Sequence, residues 1–262
     1  QGGELTFLTM ISTLRPPVAA DIIDFDVTGD DVVFWLWSSV AYSVARIGIE
    51  MLFPGKHRGY TLQQYALSLG HQAFVLPACA LGWLLGTLQD GPALIYLLTG
   101  AYLTSDSLIN YSPVSGCVTG EEGPPAFSWG VHAHHLFTVI LCALGTTLPP
   151  WPVREGAICI LLGEAGSLWI TITLLCPTPL NFAIRYYSFL ISRLLGVVLA
   201  GDIARQIEHI PTRLVLLGMV CGLCLDNWGT LQAMRKNKQG HHSIGDLQSP
   251  VATNTRMNGK SN

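Results

Sequence analysis

Hydrophobic residues run through the chain in seven long blocks, separated by short breaks that carry polar residues, glycine and proline. The blocks cover about residues 31–53, 61–88, 93–112, 131–149, 155–175, 182–204 and 212–234. A helix needs about 20 mostly apolar residues to cross the hydrocarbon core of a bilayer, and each block reaches or approaches that length. The pattern predicts an all-α fold, a polytopic transmembrane bundle of about seven helices. The third and fourth blocks are short and carry polar residues, so they are the weakest candidates for spans. Pro54, Pro92, Pro149, Pro150, Pro152, Pro177, Pro179 and Pro211 fall between blocks or at a block end, where a residue without a backbone N–H breaks no helical ladder. Residues 113–130 hold Gly116, Gly120, Gly123, Pro124 and Pro125 and read as the longest internal loop.

The blocks divide the chain into a lead (1–30), one membrane domain (31–238) and a polar tail (239–262) expected to be disordered. The lead opens on Gln1 rather than Met, as a processed or partial chain would. Its apolar run Leu5–Ile11 lacks the basic stretch that precedes a signal-peptide core. Composition agrees with lipid as the solvent: 50% of residues are hydrophobic and 12% are charged, against about 25% charged in a soluble domain. The net charge of −3 and the scatter of 14 Lys and Arg exclude a nucleic-acid partner, which requires clustered basic residues. Most of the seven cysteines lie within apolar runs and read as small buried hydrophobes. Cys221 and Cys224 form a CxxC with no second pair, so no metal site or metal cofactor is expected. Lys56, Arg58, Arg185, Arg235, Lys236 and Lys238 fall on one side of an alternating seven-helix bundle. That bias predicts a cytosolic C-terminus.

Ionisable residues inside the blocks are the main chemical signal. Among them are Arg46, His71, Asp106, His134, His135, Glu164, Arg193 and Asp226. Each costs about 2.5–3.5 kcal/mol at mid-bilayer on insertion scales, so such groups face protein or a water-filled cavity. Helix direction places His71, Asp106, Asn110, His132, His134 and His135 towards the cytosolic side, with Glu164 and Arg193 deeper. Asp106 and Asn110 share a helix face, as do Arg46 and Glu50. An imidazole in an apolar cavity can serve as a general base or nucleophile, and a neighbouring carboxylate can orient it. The candidate catalytic residues are therefore His134, His135 and Asp106. Ser68, His71, Asn110, Glu164 and Arg193 are candidates for holding a substrate. No lysine lies in any block, which excludes a retinal Schiff base there.

A series of short motifs runs in order along the helices: Ser68-Leu-Gly-His71, Tyr102-Leu-Thr-Ser-Asp106, His134-His135, Glu164-Ala-Gly-Ser167, Phe189-Leu-Ile-Ser-Arg193 and Asp226-Asn227-Trp228. Over residues 35–238 this series resembles the TLC (TRAM, Lag and CLN homology) domain family. The resemblance implies a lipid-handling membrane bundle, in the endoplasmic reticulum or a related endomembrane. Some members are ceramide synthases, which transfer an acyl group from acyl-CoA to a sphingoid amine and depend on the paired histidines and membrane aspartates. Here those roles fall to His134, His135 and Asp106. Ceramide synthases carry a downstream aspartate pair where this chain has Glu164 and Ser167, which aligns it with the branch outside the true ceramide synthases.

Two kinds of function follow from the resemblance. One is acyl transfer to a sphingoid or phospholipid acceptor, with acyl-CoA as co-substrate and no bound cofactor. The other is a non-enzymatic lipid-binding, regulatory or cargo-trafficking role in the membrane. Cysteines introduced at positions 106 and 132 should react with an impermeant thiol reagent applied from the cytosolic side. Reaction only from the lumenal side would contradict the one-sided placement.

Overall fold

The computed structural model describes residues 29–57, 60–110, 129–147 and 152–239. The lead, the polar tail and most of the 113–130 loop lie outside them. The described residues form seven helices: α1 (Gly29–Leu52), α2 (Leu62–Leu84), α3 (Gly91–Asn110), α4 (Trp129–Thr147), α5 (Val153–Leu175), α6 (Pro179–Gln206) and α7 (Ile210–Gln239). A short antiparallel pair, β1 (Lys56–His57) and β2 (Tyr60–Thr61), joins α1 to α2. The helices α1, α2, α5, α6 and the Ile210–Gln232 part of α7 are each long and apolar enough to cross a membrane. The chain is a multi-pass membrane protein built as an all-α bundle.

Helix ends follow local chemistry. At α2 the Gln64 side chain accepts the Thr61 backbone N–H at 2.9 Å, one half of a capping box. At α6 the Thr178 hydroxyl accepts the Asn181 N–H at 3.1 Å, with Pro179 in the first turn. After α2 the chain closes in a Schellman turn: Gly86 N–H meets the Trp83 carbonyl at 3.0 Å, and Thr87 N–H meets that of Gly82 at 2.9 Å. Gly86 has φ +69°, which a residue with Cβ rarely adopts.

Helix α2 is not a uniform rod, as the sequence pattern alone suggests. Residues His71–Val75 form one turn of π-helix, and the Leu76 N–H reaches back five residues to the His71 carbonyl. Pro77 explains it. Its ring lacks an N–H and crowds the carbonyl four residues earlier, so the preceding turn widens. Such turns concentrate at functional sites, and this one carries His71 and Gln72, both buried.

The bundle is inside out relative to a soluble protein. On α1 the buried side chains are Ser39, Arg46 and Glu50, while Val33, Leu36, Trp37, Val40 and Val44 are exposed. Arg46 is 0% exposed and Trp37 69%. Helix α3 sits at the centre, packed against α1, α2, α4 and α5, and is buried along most of its length. That position resolves the weakness of the third block: polar residues on α3 meet protein, not lipid, so the helix needs no continuous apolar surface.

Close approach depends on small residues. Without apolar driving force between helices in lipid, van der Waals contact must hold them together. A Cβ on Gly166 of α5 would lie 2.0 Å from the Ser192 Oγ of α6, and one on Gly100 of α3 would lie 2.1 Å from the Trp35 ring of α1. Gly201 of α6 has nothing within 4 Å. Gly166→Leu should lower the thermal midpoint of detergent-purified protein by several degrees, whereas Gly201→Leu should leave it unchanged. Equal midpoints for both variants would contradict this packing.

Candidate functional site

The C-terminal end of α1, the start of α2, the end of α3 and the start of α4 meet at the hairpin end of the bundle. Their polar side chains form one connected cluster. Arg46 Nη1 lies 2.7 Å from Asp106 Oδ1 and donates to Gln63 Oε1 at 3.0 Å, and Arg46 Nε donates to Ser105 Oγ at 3.2 Å. Asn110 Nδ2 donates to the same Asp106 oxygen at 2.7 Å, one turn along α3. Gln63 Nε2 closes the ring by donating to Asn110 Oδ1 at 2.5 Å. Arg46 Nη2 is buried with no hydrogen-bond partner among the described residues. An unsatisfied buried donor costs about 1–3 kcal/mol, more when charged.

With Oδ1 held twice, the other Asp106 oxygen faces α4. His135 Nε2 lies 3.6 Å from Oδ2, and His135 Nδ1 lies 3.1 Å from the Ser107 hydroxyl. Asp106, Asn110 and His135, all candidates from sequence, thus come together. His134 does not join them. Its ring is 6.0 Å from that of His135, centroid to centroid, at 55°, and it lies within electrostatic reach of Arg193. Adjacent helical residues diverge by about 100°, so the histidine pair serves two sides of α4.

His71 belongs to a second layer. Its ring stacks on Tyr102 at 4.4 Å and 9°, Tyr42 Oη lies 3.0 Å from its Nδ1, and Thr99 Oγ1 lies 3.5 Å from its Nε2. The Arg46 guanidinium sits 5.1 Å from the Tyr102 ring centroid, so Tyr102 links the two layers by a cation–π contact.

Ser68 and Glu164 meet through Gln72. Gln72 Nε2 donates to Glu164 Oε2 at 2.7 Å, and Ser68 donates to Gln72 Oε1 at 3.3 Å and lies 3.2 Å from Thr171 Oγ1. Glu164 stands midway along α5, about 16 Å from either end at about 1.5 Å per residue. Arg193 lies at similar depth but binds elsewhere: the Gly163 carbonyl at 2.8 Å, Ser167 Oγ at 3.0 Å and Asn227 Oδ1 at 3.2 Å.

Sequence reasoning centred on ionisable groups, with Ser68 and Asn110 beside them, and missed the uncharged connectors Gln63, Gln72, Tyr42, Ser105 and Ser107. One signal was present: Ser39, Ser43, Arg46 and Glu50 recur on one face of α1, and a polar stripe in an apolar helix marks its inward side. Ser43 Oγ lies 3.1 Å from Ser105 Oγ across the contact with α3. Cys79 and Cys142 are buried, and Cys221 and Cys224 are exposed on α7. Among the described residues no three His, Cys, Asp or Glu side chains converge as metal ligands would. No family model matches the chain, and neither a curated protein nor a solved structure does.

Proposed function

We propose that the chain works on membrane lipid and that Asp106 and His135 form an acid–base site for acyl transfer, as the resemblance to the TLC family implies. One observation carries this reading. Asp106 is clamped on one oxygen by Arg46 and Asn110 and presents the other to His135 Nε2. A carboxylate fixed in this way orients an imidazole and stabilises the imidazolium that forms when it takes a proton. The proton would come from the amine or hydroxyl of a sphingoid or phospholipid acceptor, as that atom attacks an acyl carbonyl. Acyl-CoA suits the donor role, being an activated thioester. His134, whose ring stands 6.0 Å from that of His135, would bind rather than react.

Depth fits a lipid substrate. The Asp106–His135 pair lies near one end of the bundle, where head groups reside, and the polar side chains His71, Ser68, Glu164 and Arg193 continue inwards. The matching location is an endoplasmic reticulum or related membrane with the C-terminus cytosolic. The alternative is a lipid-binding or trafficking protein that holds a head group with the same side chains and transforms nothing.

The test is acyl transfer by detergent-purified protein supplied with acyl-CoA and sphingoid or lysophospholipid acceptors. His135→Ala should reduce turnover by about 10²–10⁴-fold, the usual contribution of a general base. Wild-type turnover in the His134→Ala, His135→Ala double variant would overturn the catalytic reading. A co-purifying lipid without turnover in the wild type would favour the binding alternative.

A further inference from the structure

Serine and threonine in apolar helices commonly return their hydroxyl proton to the backbone carbonyl one turn earlier. Ser39, Ser43 and Ser167 do so, to the carbonyls of Trp35, Ser39 and Gly163 at 2.8, 2.8 and 3.1 Å. Ser107 breaks the habit. Its hydroxyl lies 3.1 Å from His135 Nδ1, on a half-buried stretch of α3 one residue beyond Asp106.

The tautomer follows from the neighbours. His135 Nε2 faces the Asp106 carboxylate at 3.6 Å, and a carboxylate can only accept. The ring proton of a neutral His135 therefore sits on Nε2, leaving the lone pair on Nδ1. Ser107 must donate in its contact with that nitrogen. Hydroxyl donating to imidazole, with imidazole steered by carboxylate, is the arrangement that activates a serine nucleophile. The 3.6 Å separation exceeds a hydrogen bond, and such contacts commonly tighten once substrate is bound.

From this geometry we infer that Ser107 is the nucleophile of a Ser107–His135–Asp106 relay and carries the acyl group covalently between donor and acceptor. The inference rests on the acyl-transfer reading above and specifies its route. Ser107 Oγ bonds to the carbonyl carbon of an acyl thioester or oxyester as its proton passes to His135 Nδ1. The bond to the leaving thiol or alcohol then breaks, and that group departs with the proton. In the second half an acceptor amine, hydroxyl or water gives its proton to Nδ1 and bonds to the same carbon. The carbon–Oγ bond breaks, and Oγ recovers the proton. No oxidant or reductant takes part.

An alkyl fluorophosphonate carrying a fluorophore tests the serine without knowledge of the lipid. Incubated with the detergent-purified full chain, it should label Ser107, as located by peptide mass spectrometry. Labelling should vanish in Ser107→Ala and slow at least tenfold in His135→Ala, with thermal midpoints confirming that both variants fold. Absence of Ser107 labelling in the wild type, or labelling that persists in Ser107→Ala, would overturn the assignment. Acyl transfer separates the two readings. If Ser107→Ala turns over like the wild type while His135→Ala is inactive, the nucleophile is refuted and the acid–base site stands. If His135→Ala is also fully active, both fail.

Discussion

Arg46 and Asp106 are two opposite charges inside a bundle whose outer surface faces lipid, and the arrangement of its hairpin end follows from their pairing. Neither charge could be carried there alone. Desolvating an ion costs several kcal/mol even after relaxation, and the attraction of a partner repays this only when further hydrogen bonds complete the shell. The chain supplies them: Gln63 and Ser105 on the guanidinium, Asn110 on the carboxylate, and a Gln63–Asn110 bond joining the two. Arg46 comes from α1, Gln63 from the start of α2, and Ser105, Asp106 and Asn110 from the end of α3, so the pair also sets how those helices meet.

Placing α3 at the centre follows from the same constraint. A helix bearing Thr99, Ser105, Asp106 and Asn110 is costly against lipid and favourable against other polar helices. Its neighbours turn their own polar stripes inwards and leave aliphatic faces outside. The outcome is one polar layer at the hairpin end around Asp106 and His135, a second around His71 on the π-turn of α2, linked to the first by Tyr102, and further polar groups near mid-depth around Glu164 and Arg193. The widened turn contributes by presenting His71 to α1 and α3 and Gln72 to α5 from adjacent positions.

Much of this was legible in the sequence because lipid imposes a simple rule on length and polarity. Every helix lies within a few residues of its apolar block, and α3 and α4 were marked as the polar ones. The placement of Asp106 and the histidine pair towards one end of the bundle was also legible, since helix direction fixes it. Other features were hidden for physical reasons. Gln63 and Ser107 carry no charge, so no insertion cost drew attention to them. The π-turn comes from Pro77, whose effect depends on backbone crowding in the turn before it rather than on hydropathy. The separation of His134 from His135 follows from helical geometry, but which histidine meets Asp106 depends on the rotation of α4, which no periodicity in its mixed surface determines.

The central claim is that Arg46 and Asp106 are needed together and harmful apart. A double-mutant cycle of unfolding free energy in mixed micelles, with Arg46→Met and Asp106→Leu, measures this directly. Each single variant should lose about 3–5 kcal/mol by stranding a buried charge, and the double variant should return close to the wild type. A double variant whose loss equals the sum of the two single losses would contradict the account.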